Sequence, residues 1–171
     1  IQSNNLKAPI TTESGSVATP YDYGAGEMTT SEPLQPGLVY ETSPIDYLNF
    51  LCYIGFNVTT VKVISKTVPR NFNCPKDLSS DHISNINYPS IAINFSGKRA
   101  VNVSRTVTNV GEDDETVYSP IVDAPSGVHV TLTPSKLRFT KCSKKLSYRV
   151  IFSSTLTSLK EDLFGSITWS N

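Results

Sequence analysis

The sequence predicts an all-β sandwich over residues 86–171, preceded over 1–83 by a weakly periodic segment that holds two short helices. Three observations predict it. From Tyr88 onward the side chains alternate with a period of two in short runs, the signature of half-buried strands. Turn-forming clusters separate those runs at Asn94 to Gly97, Asn109-Val110-Gly111, Ala124-Pro125-Ser126-Gly127 and Thr133-Pro134-Ser135, a spacing typical of sandwiches. Upstream, a helical period follows a helix-start motif at Ser43-Pro44-Ile45-Asp46.

Residues 1–42 carry no sustained period. Lys7-Ala8-Pro9-Ile10 and Ser14-Gly15-Ser16 punctuate a polar lead-in, and Gly24-Ala25-Gly26 permits positive φ or close backbone approach. Leu34-Gln35-Pro36-Gly37-Leu38-Val39-Tyr40 places Pro-Gly at a turn before a short apolar run. A segment of this kind does not make a core by itself and reads as connecting structure wrapped on something else.

At Ser43 the pattern changes. Ser43 is a capping residue, Pro44 suits the first helical position, and Asp46 stands at capping-box spacing. Ile45, Leu48, Leu51 and Cys52 share one face with Tyr47 beside them, and Gly55 ends the helix. Asn57 to Ser65 predicts a second short helix with Val58, Val61 and Ile64 inward, and Pro69 to Ser84 reads as loop. In the sandwich, Val101, Val103, Arg105 and Val107 share a face opposite Asn102, Ser104 and Thr106. Val128, Val130 and Leu132 alternate likewise, as do Leu146, Tyr148, Val150 and Phe152, and then Leu163, Gly165, Ile167 and Trp169.

The chain has 171 residues, 15 basic and 15 acidic, for a net charge of +0. Such a balance gives no field to attract nucleic acid or an anionic membrane, so neither is expected as a partner. The apolar runs, such as Ile91-Ala92-Ile93, are far too short to span a bilayer. Three sequons, Asn57-Val58-Thr59, Asn94-Phe95-Ser96 and Asn102-Val103-Ser104, favour the secretory route and make Asn57, Asn94 and Asn102 candidate glycosylation sites. Of the three cysteines, Cys52 and Cys74 enclose a short polar segment and are the natural pair, which leaves Cys142 as an exposed thiol in a basic turn.

No catalytic constellation is evident. A serine hydrolase needs a nucleophile, a base and an orienting carboxylate held together, yet there is no Gly-x-Ser-x-Gly elbow. His82 reads as a loop histidine at a junction, and His129 as a solvent-facing strand residue. Asp113-Asp114-Glu115 and Glu161-Asp162 read as charged turns. No Cys-x-x-Cys or ligand-spaced histidine suggests a metal, and no phosphate-cradling loop suggests a nucleotide, so no cofactor is expected.

Ala18-Thr19-Pro20-Tyr21-Asp22-Tyr23-Gly24-Ala25-Gly26, Leu34 to Tyr40 and Asp46-Tyr47-Leu48-Asn49-Phe50-Leu51-Cys52 resemble the stretch that follows the catalytic-serine helix in plant subtilisin-like serine proteases. Asn87-Tyr88-Pro89-Ser90-Ile91, Arg105 to Gly111, Ala124 to Val128 and Pro134 to Phe139 resemble that family's fibronectin-III-like C-terminal domain. The resemblance implies an α/β remnant over 1–83, the C-terminal end of a subtilisin-like peptidase domain, followed by the sandwich over 86–171. It also implies a bridge between Cys52 and Cys74, in agreement with the spacing. Glu27 stands where the family commonly has His.

The implied activity is a secreted plant endopeptidase of the apoplast or cell wall, with Asp, His and Ser of the triad upstream of Ile1. No catalytic residue therefore falls in this chain, which is expected to be scaffold and inactive alone. Its expected partners are the upstream protease-domain chain of the same enzyme and, through that chain, protein and peptide substrates. The chain opens just past the nucleophile's helix and stops at Trp169-Ser170-Asn171, one strand before the family's usual end. A piece of a larger enzyme is the expectation. The competing expectation is a non-catalytic sandwich that binds other proteins.

Overall fold

The computed structural model describes residues 8–24, 36–95, 97–155 and 162–171. The segments with Gly26, Glu27, Leu34 and Glu161 lie outside the described residues.

Among the described residues, seven strands form two antiparallel sheets. The larger runs β1 (Leu38–Val39), β2 (Ala100–Asn109), β6 (Lys145–Ser154), β4 (Val128–Thr133). The smaller runs β5 (Leu137–Phe139), β3 (Thr116–Asp123), β7 (Ser166–Ser170). Their inner faces meet in one core. Val107, Tyr148 and Val150 come from the larger sheet, and Tyr118, Leu137 and Phe139 from the smaller. The long β2–β6 ladder fixes the register, with Val103 opposite Val150 and Arg105 opposite Tyr148. This register puts the alternating apolar residues of both strands on the same side, as a face buried against a second sheet requires.

Besides the two-residue β1, two strands have no clear alternating signal. In β3 (Thr-Val-Tyr-Ser-Pro-Ile-Val-Asp) only Tyr118 is buried and Pro120 interrupts the run. Pro120 nevertheless sits opposite Trp169 of β7, while Thr116 to Tyr118 pair with β5 on the other side. Proline removes a ladder donor, so its presence argues against a strand in the sequence. β5 is three residues long, too short to show a period. Leu163, expected to continue the last strand's alternation, lies before β7 and is exposed.

The lead-in is anchored on the sandwich. Gly37 adopts φ +64 and turns the chain into β1, where Leu38 and Val39 pair with Asn109 and Thr108. A Cβ on Gly37 would lie 3.0 Å from the Tyr118 hydroxyl. Leu38 and Tyr40 pack on the sandwich core, and the Tyr40 and Tyr148 hydroxyls are 2.9 Å apart. Further upstream, Tyr21 of the short α1 (Pro20–Tyr23) donates to Asp162 at 2.7 Å and meets Phe164 edge-on at 5.5 Å. An aperiodic segment thus joins the sandwich through a two-residue strand and a few aromatic contacts.

Beside the sandwich stand α2 (Pro44–Tyr53) and α3 (Val58–Ile64). The capping box at the start of α2 is reciprocal: Ser43 Oγ accepts from the Asp46 N–H at 3.3 Å, and Asp46 accepts from the Ser43 N–H at 2.7 Å. Past the helix, Gly55 takes φ +104. Asn57 caps α3 by accepting from the Thr60 N–H at 2.9 Å. Leu48, Cys52, Val61 and Phe72 form a second, small core, and a disulfide joins Cys52 to Cys74 with Cα atoms 5.7 Å apart. Not every residue expected inward is buried. Ile45 is exposed, and Ile64 is 54% exposed, because α3 has seven residues and Val61 takes its one buried position. Residues expected as loop include a 3₁₀ helix at Ser80–Asn85.

Candidate functional site

The segment from Asp77 to Ala92 links the helical pair to the sandwich and carries a network of side-chain hydrogen bonds to β2. Its centre is Arg105, on the apolar face of β2 and 2% exposed. Nε donates to the Tyr88 carbonyl at 2.7 Å, Nη1 to those of Ser84 and Ser104 at 2.8 Å each, and Nη2 to that of Ser90 at 3.1 Å. The fork geometry of guanidinium suits this, since it distributes donors over several acceptors in a plane. Burial lowers the Arg105 pKa, while the nearby Tyr148 and Tyr40 phenols oppose that shift. The Tyr40 phenol is pushed upward, mainly by burial and then by its bond with Tyr148.

Two asparagines complete the junction. Asn85 accepts from the Ser104 N–H at 2.9 Å, and Asn87 engages Thr106 through both its side-chain atoms. Asn87 Nδ2 also donates to the Glu41 carbonyl at 2.9 Å. The Glu41 carboxylate accepts from Lys145 at 2.7 Å and from Thr108 at 2.9 Å, and these bonds lower its pKa. β1 covers only the end of β2, so these side chains occupy the remaining edge, which would otherwise present unpaired backbone groups.

His82 lies on the 3₁₀ helix. Its Nε2 is 2.9 Å from Asp77 Oδ2, and its ring stacks obliquely on Tyr53 of α2 at 5.1 Å. A histidine oriented by a carboxylate is the positioning half of a hydrolytic triad. Here an aromatic ring lies against the imidazole, and Asp77 is mostly exposed. The His82 and Ser79 bonds lower the Asp77 pKa. The arrangement suits a junction clasp. His129 is exposed on β4.

The sequon asparagines do not converge. Asn57 is exposed at the α3 cap, where Oδ1 is engaged by Thr60. Asn94 is exposed in the segment before β2, with Ser96 outside the described residues. Asn102 is exposed on β2. Cys142 is an exposed free thiol. Among the described residues no cluster of three or more His, Cys, Asp or Glu could hold a metal ion, and no helix is long and apolar enough to cross a membrane.

A groove of about 410 Å³ runs between α2 and the chain leaving α3, with Pro44, Tyr47, Leu48 and Leu51 on one wall and Ser65 and Thr67 on the other. A smaller cavity of about 170 Å³ lies between α2 and the 3₁₀ helix, beside Tyr53 and His82. Arg105 sits on an inward strand face in the sequence, which is a usable signal for a buried guanidinium, but the loop asparagines carry none.

The Fibronectin type-III domain family matches residues 85–171. Over its whole length the chain is similar to plant proteases. It is 58% identical to the CO(2)-response secreted protease of Arabidopsis thaliana, over 99% of this chain and 22% of that protein. It is 54% identical to subtilisin-like protease SBT5.1 of the same plant, over 100% of this chain and 23% of that protein. It is 39% identical to subtilisin-like serine-protease S of Lotus japonicus, over 92% of this chain and 20% of that protein. The chain therefore spans about a fifth of the length of these relatives.

Proposed function

The chain belongs to the fibronectin type-III domain family through residues 85–171 and is similar along its length to plant subtilisin-like proteases, and from this we propose that it is the C-terminal scaffold of a secreted serine endopeptidase. Residues 1–83 complete the end of the peptidase domain, and 86–171 form the sandwich that braces it. The Asp-His-Ser triad belongs to upstream polypeptide, which attacks the peptide carbonyl through serine and passes through an acyl-enzyme. This chain alone cuts nothing. Its partner is that protease portion, and protein or peptide substrates reach it only through that portion.

The observation that carries the reading is the end-to-end match, over 99% and 100% of this chain, to relatives of which it is 22% and 23%. The polar network supports it. Arg105, Asn85 and Asn87 satisfy backbone groups, and the His82–Asp77 pair packs on Tyr53. These groups are spent on holding elements together.

Secretion to the plant cell exterior, in the apoplast or cell wall, fits the Cys52–Cys74 bridge, since such bonds persist in oxidising compartments. It also fits one relative's name as a secreted protease. Asn57, Asn94 and Asn102 are the glycan acceptors on this reading, each exposed.

The test compares the intact polypeptide with residues 1–171 alone, using a serine-directed phosphonate and a peptide substrate. Labelling and turnover by the intact polypeptide, with neither from residues 1–171, are expected. Turnover by residues 1–171 that His82→Ala abolishes would overturn the assignment, as would an intact polypeptide that takes no label.

A further inference from the structure

The edge of β2 that faces away from β6 is satisfied residue by residue. In an antiparallel ladder alternate residues turn both backbone groups to the same side. On β2 the even-numbered residues face this edge, because it is the Thr106 N–H and C=O that meet the Asn87 amide. Thr108 pairs with Val39 of β1, while the Ser104 N–H donates to Asn85 and its C=O accepts from Arg105. The next residue in the series is Asn102. Among the described residues nothing on that side bonds to the backbone groups of Asn102 or of Ala100 at the strand's start. Both residues are exposed, and an open stretch of strand edge is a template for pairing with another strand.

The sequon Asn102-Val103-Ser104 begins at this gap. The Asn102 side chain shares the outer face of the sheet with Ser104 and Thr106, whereas Val103 and Arg105 are buried in the interior. Directly across from Asn102, on β6, stands Ile151, half-buried between Arg149 and Ser153 on the same outer face. Residues opposite one another in such a pair are within side-chain contact. A sugar on Asn102 therefore has an apolar side chain beneath it and the open strand edge beside it. Of the three sequon asparagines, Asn57 belongs to the helical pair and Asn94 to the segment before β2, so Asn102 alone stands on a strand.

We infer that Asn102 carries an N-linked oligosaccharide that closes this last stretch of the β2 edge to other strands, those of a second copy of the chain included. The inference rests on the secretion reading above and adds to it a role for one acceptor. The covalent step joins Asn102 Nδ2 to C1 of the first sugar of a lipid-diphosphate-linked oligosaccharide. The bond from C1 to the diphosphate oxygen breaks, the lipid diphosphate leaves with that electron pair, and the amide gives up one proton. A bulky, hydrated chain at the edge then keeps a neighbouring strand away, as lysine or proline does on other sheet edges.

The test uses the intact polypeptide secreted by plant cells. Glycopeptide mass spectrometry reads Asn102, and light scattering on a size-exclusion column reads self-association. Asn102→Gln and Ser104→Ala each remove the acceptor, and Ser104→Ala leaves the backbone N–H that Asn85 holds. Thr59→Ala removes the Asn57 sequon and serves as the control. Most molecules should carry glycan on Asn102. Both variants of its sequon should self-associate several-fold more than wild type, and the control should not. Ala100→Lys added to Ser104→Ala should restore the wild-type level, since a charge on the same edge replaces the glycan's effect. An unmodified Asn102 overturns the inference. So do sequon variants as monomeric as wild type, or self-association that Ala100→Lys leaves unchanged. Glycan on Asn57 or Asn94 with none on Asn102 discards this inference and keeps the secretion reading, whereas a polypeptide retained in the cell with all three asparagines bare discards both.

Discussion

Asn87 stands in for a strand residue opposite Thr106. Its Oδ1 accepts from the Thr106 N–H at 2.8 Å, and its Nδ2 donates to the Thr106 carbonyl at 2.9 Å. One amide side chain thereby satisfies both backbone groups of a residue on a sheet edge, and a third bond, to the Glu41 carbonyl, ties in the lead-in. Asn87→Leu removes all three bonds and strands partners that are partly shielded from water. A loss of about 2–3 kcal/mol is expected, read as a lower urea midpoint at unchanged slope. Asn87→Asp should be at least as damaging, because a carboxylate would face two carbonyl oxygens.

Arg105 extends the same principle to a charged group. Its guanidinium reaches four carbonyls, three of them on the connecting segment, so the side chain organises a loop that has no ladder of its own. Arg105→Met should cost about 3 kcal/mol, since four part-buried carbonyls lose their donor at once. Arg105→Lys keeps the charge but not the planar fork and should recover only part of that loss. Hydrogen exchange locates the effect: amides of Ser84 to Ile91 should lose protection before those of β6.

What the sequence discloses follows from periodicity. β2, β4 and β6 alternate cleanly because each has one face in the core, and α2 declares itself through Ser43, Pro44 and Asp46. β3 is obscured by Pro120, and β1 has two residues, so neither can show a pattern. The junction is hidden for a different reason. Asn85, Asn87 and Arg105 tie distant parts of the chain by side chain to backbone bonds across 15 to 46 residues, and such pairings leave no repeat in the chain. The groove is hidden too, because its walls are a helix face and the chain leaving another helix, brought together only by folding. Asn57 is marked in the sequence as a sequon at the start of a short helix, and that its side chain caps the helix emerges only from the structure.

The bridge between Cys52 and Cys74 should matter locally. It closes a loop with a sequence separation of 22 residues around the small helical core, apart from the sandwich core. Cys52→Ala with Cys74→Ala should destabilise the helical pair by about 3 kcal/mol on the loop-entropy account. Trp169 is the sole tryptophan and meets Tyr148 edge-on at 5.0 Å inside the sandwich, so its fluorescence reports that core alone. Helical circular dichroism should melt early in the double variant while the Trp169 signal keeps its wild-type transition. Coincident early loss of both signals would show that the two cores unfold as one.

Acid should loosen the lead-in through Glu41. Its carboxyl titrates below the ordinary 4.5, chiefly because it accepts from Lys145, then from Thr108, with the Lys145 charge adding to both. A carboxyl whose pKa is lower in the folded state favours folding above its unfolded value, and that contribution disappears as the pH falls through the lowered one. Asp77, lowered chiefly by its bond with His82, adds a second contribution of the same sign at the other end of the junction. Both carboxylates are exposed at the surface, so the effect is modest and is screened by salt. Thermal unfolding followed from about pH 7 to about pH 3 should show a falling midpoint whose steepest part lies below the ordinary carboxylate value. Glu41→Gln should lower the midpoint near neutrality and flatten that acid limb. An acid limb of unchanged slope in Glu41→Gln would remove the Glu41–Lys145 contact from the account of how the lead-in is held.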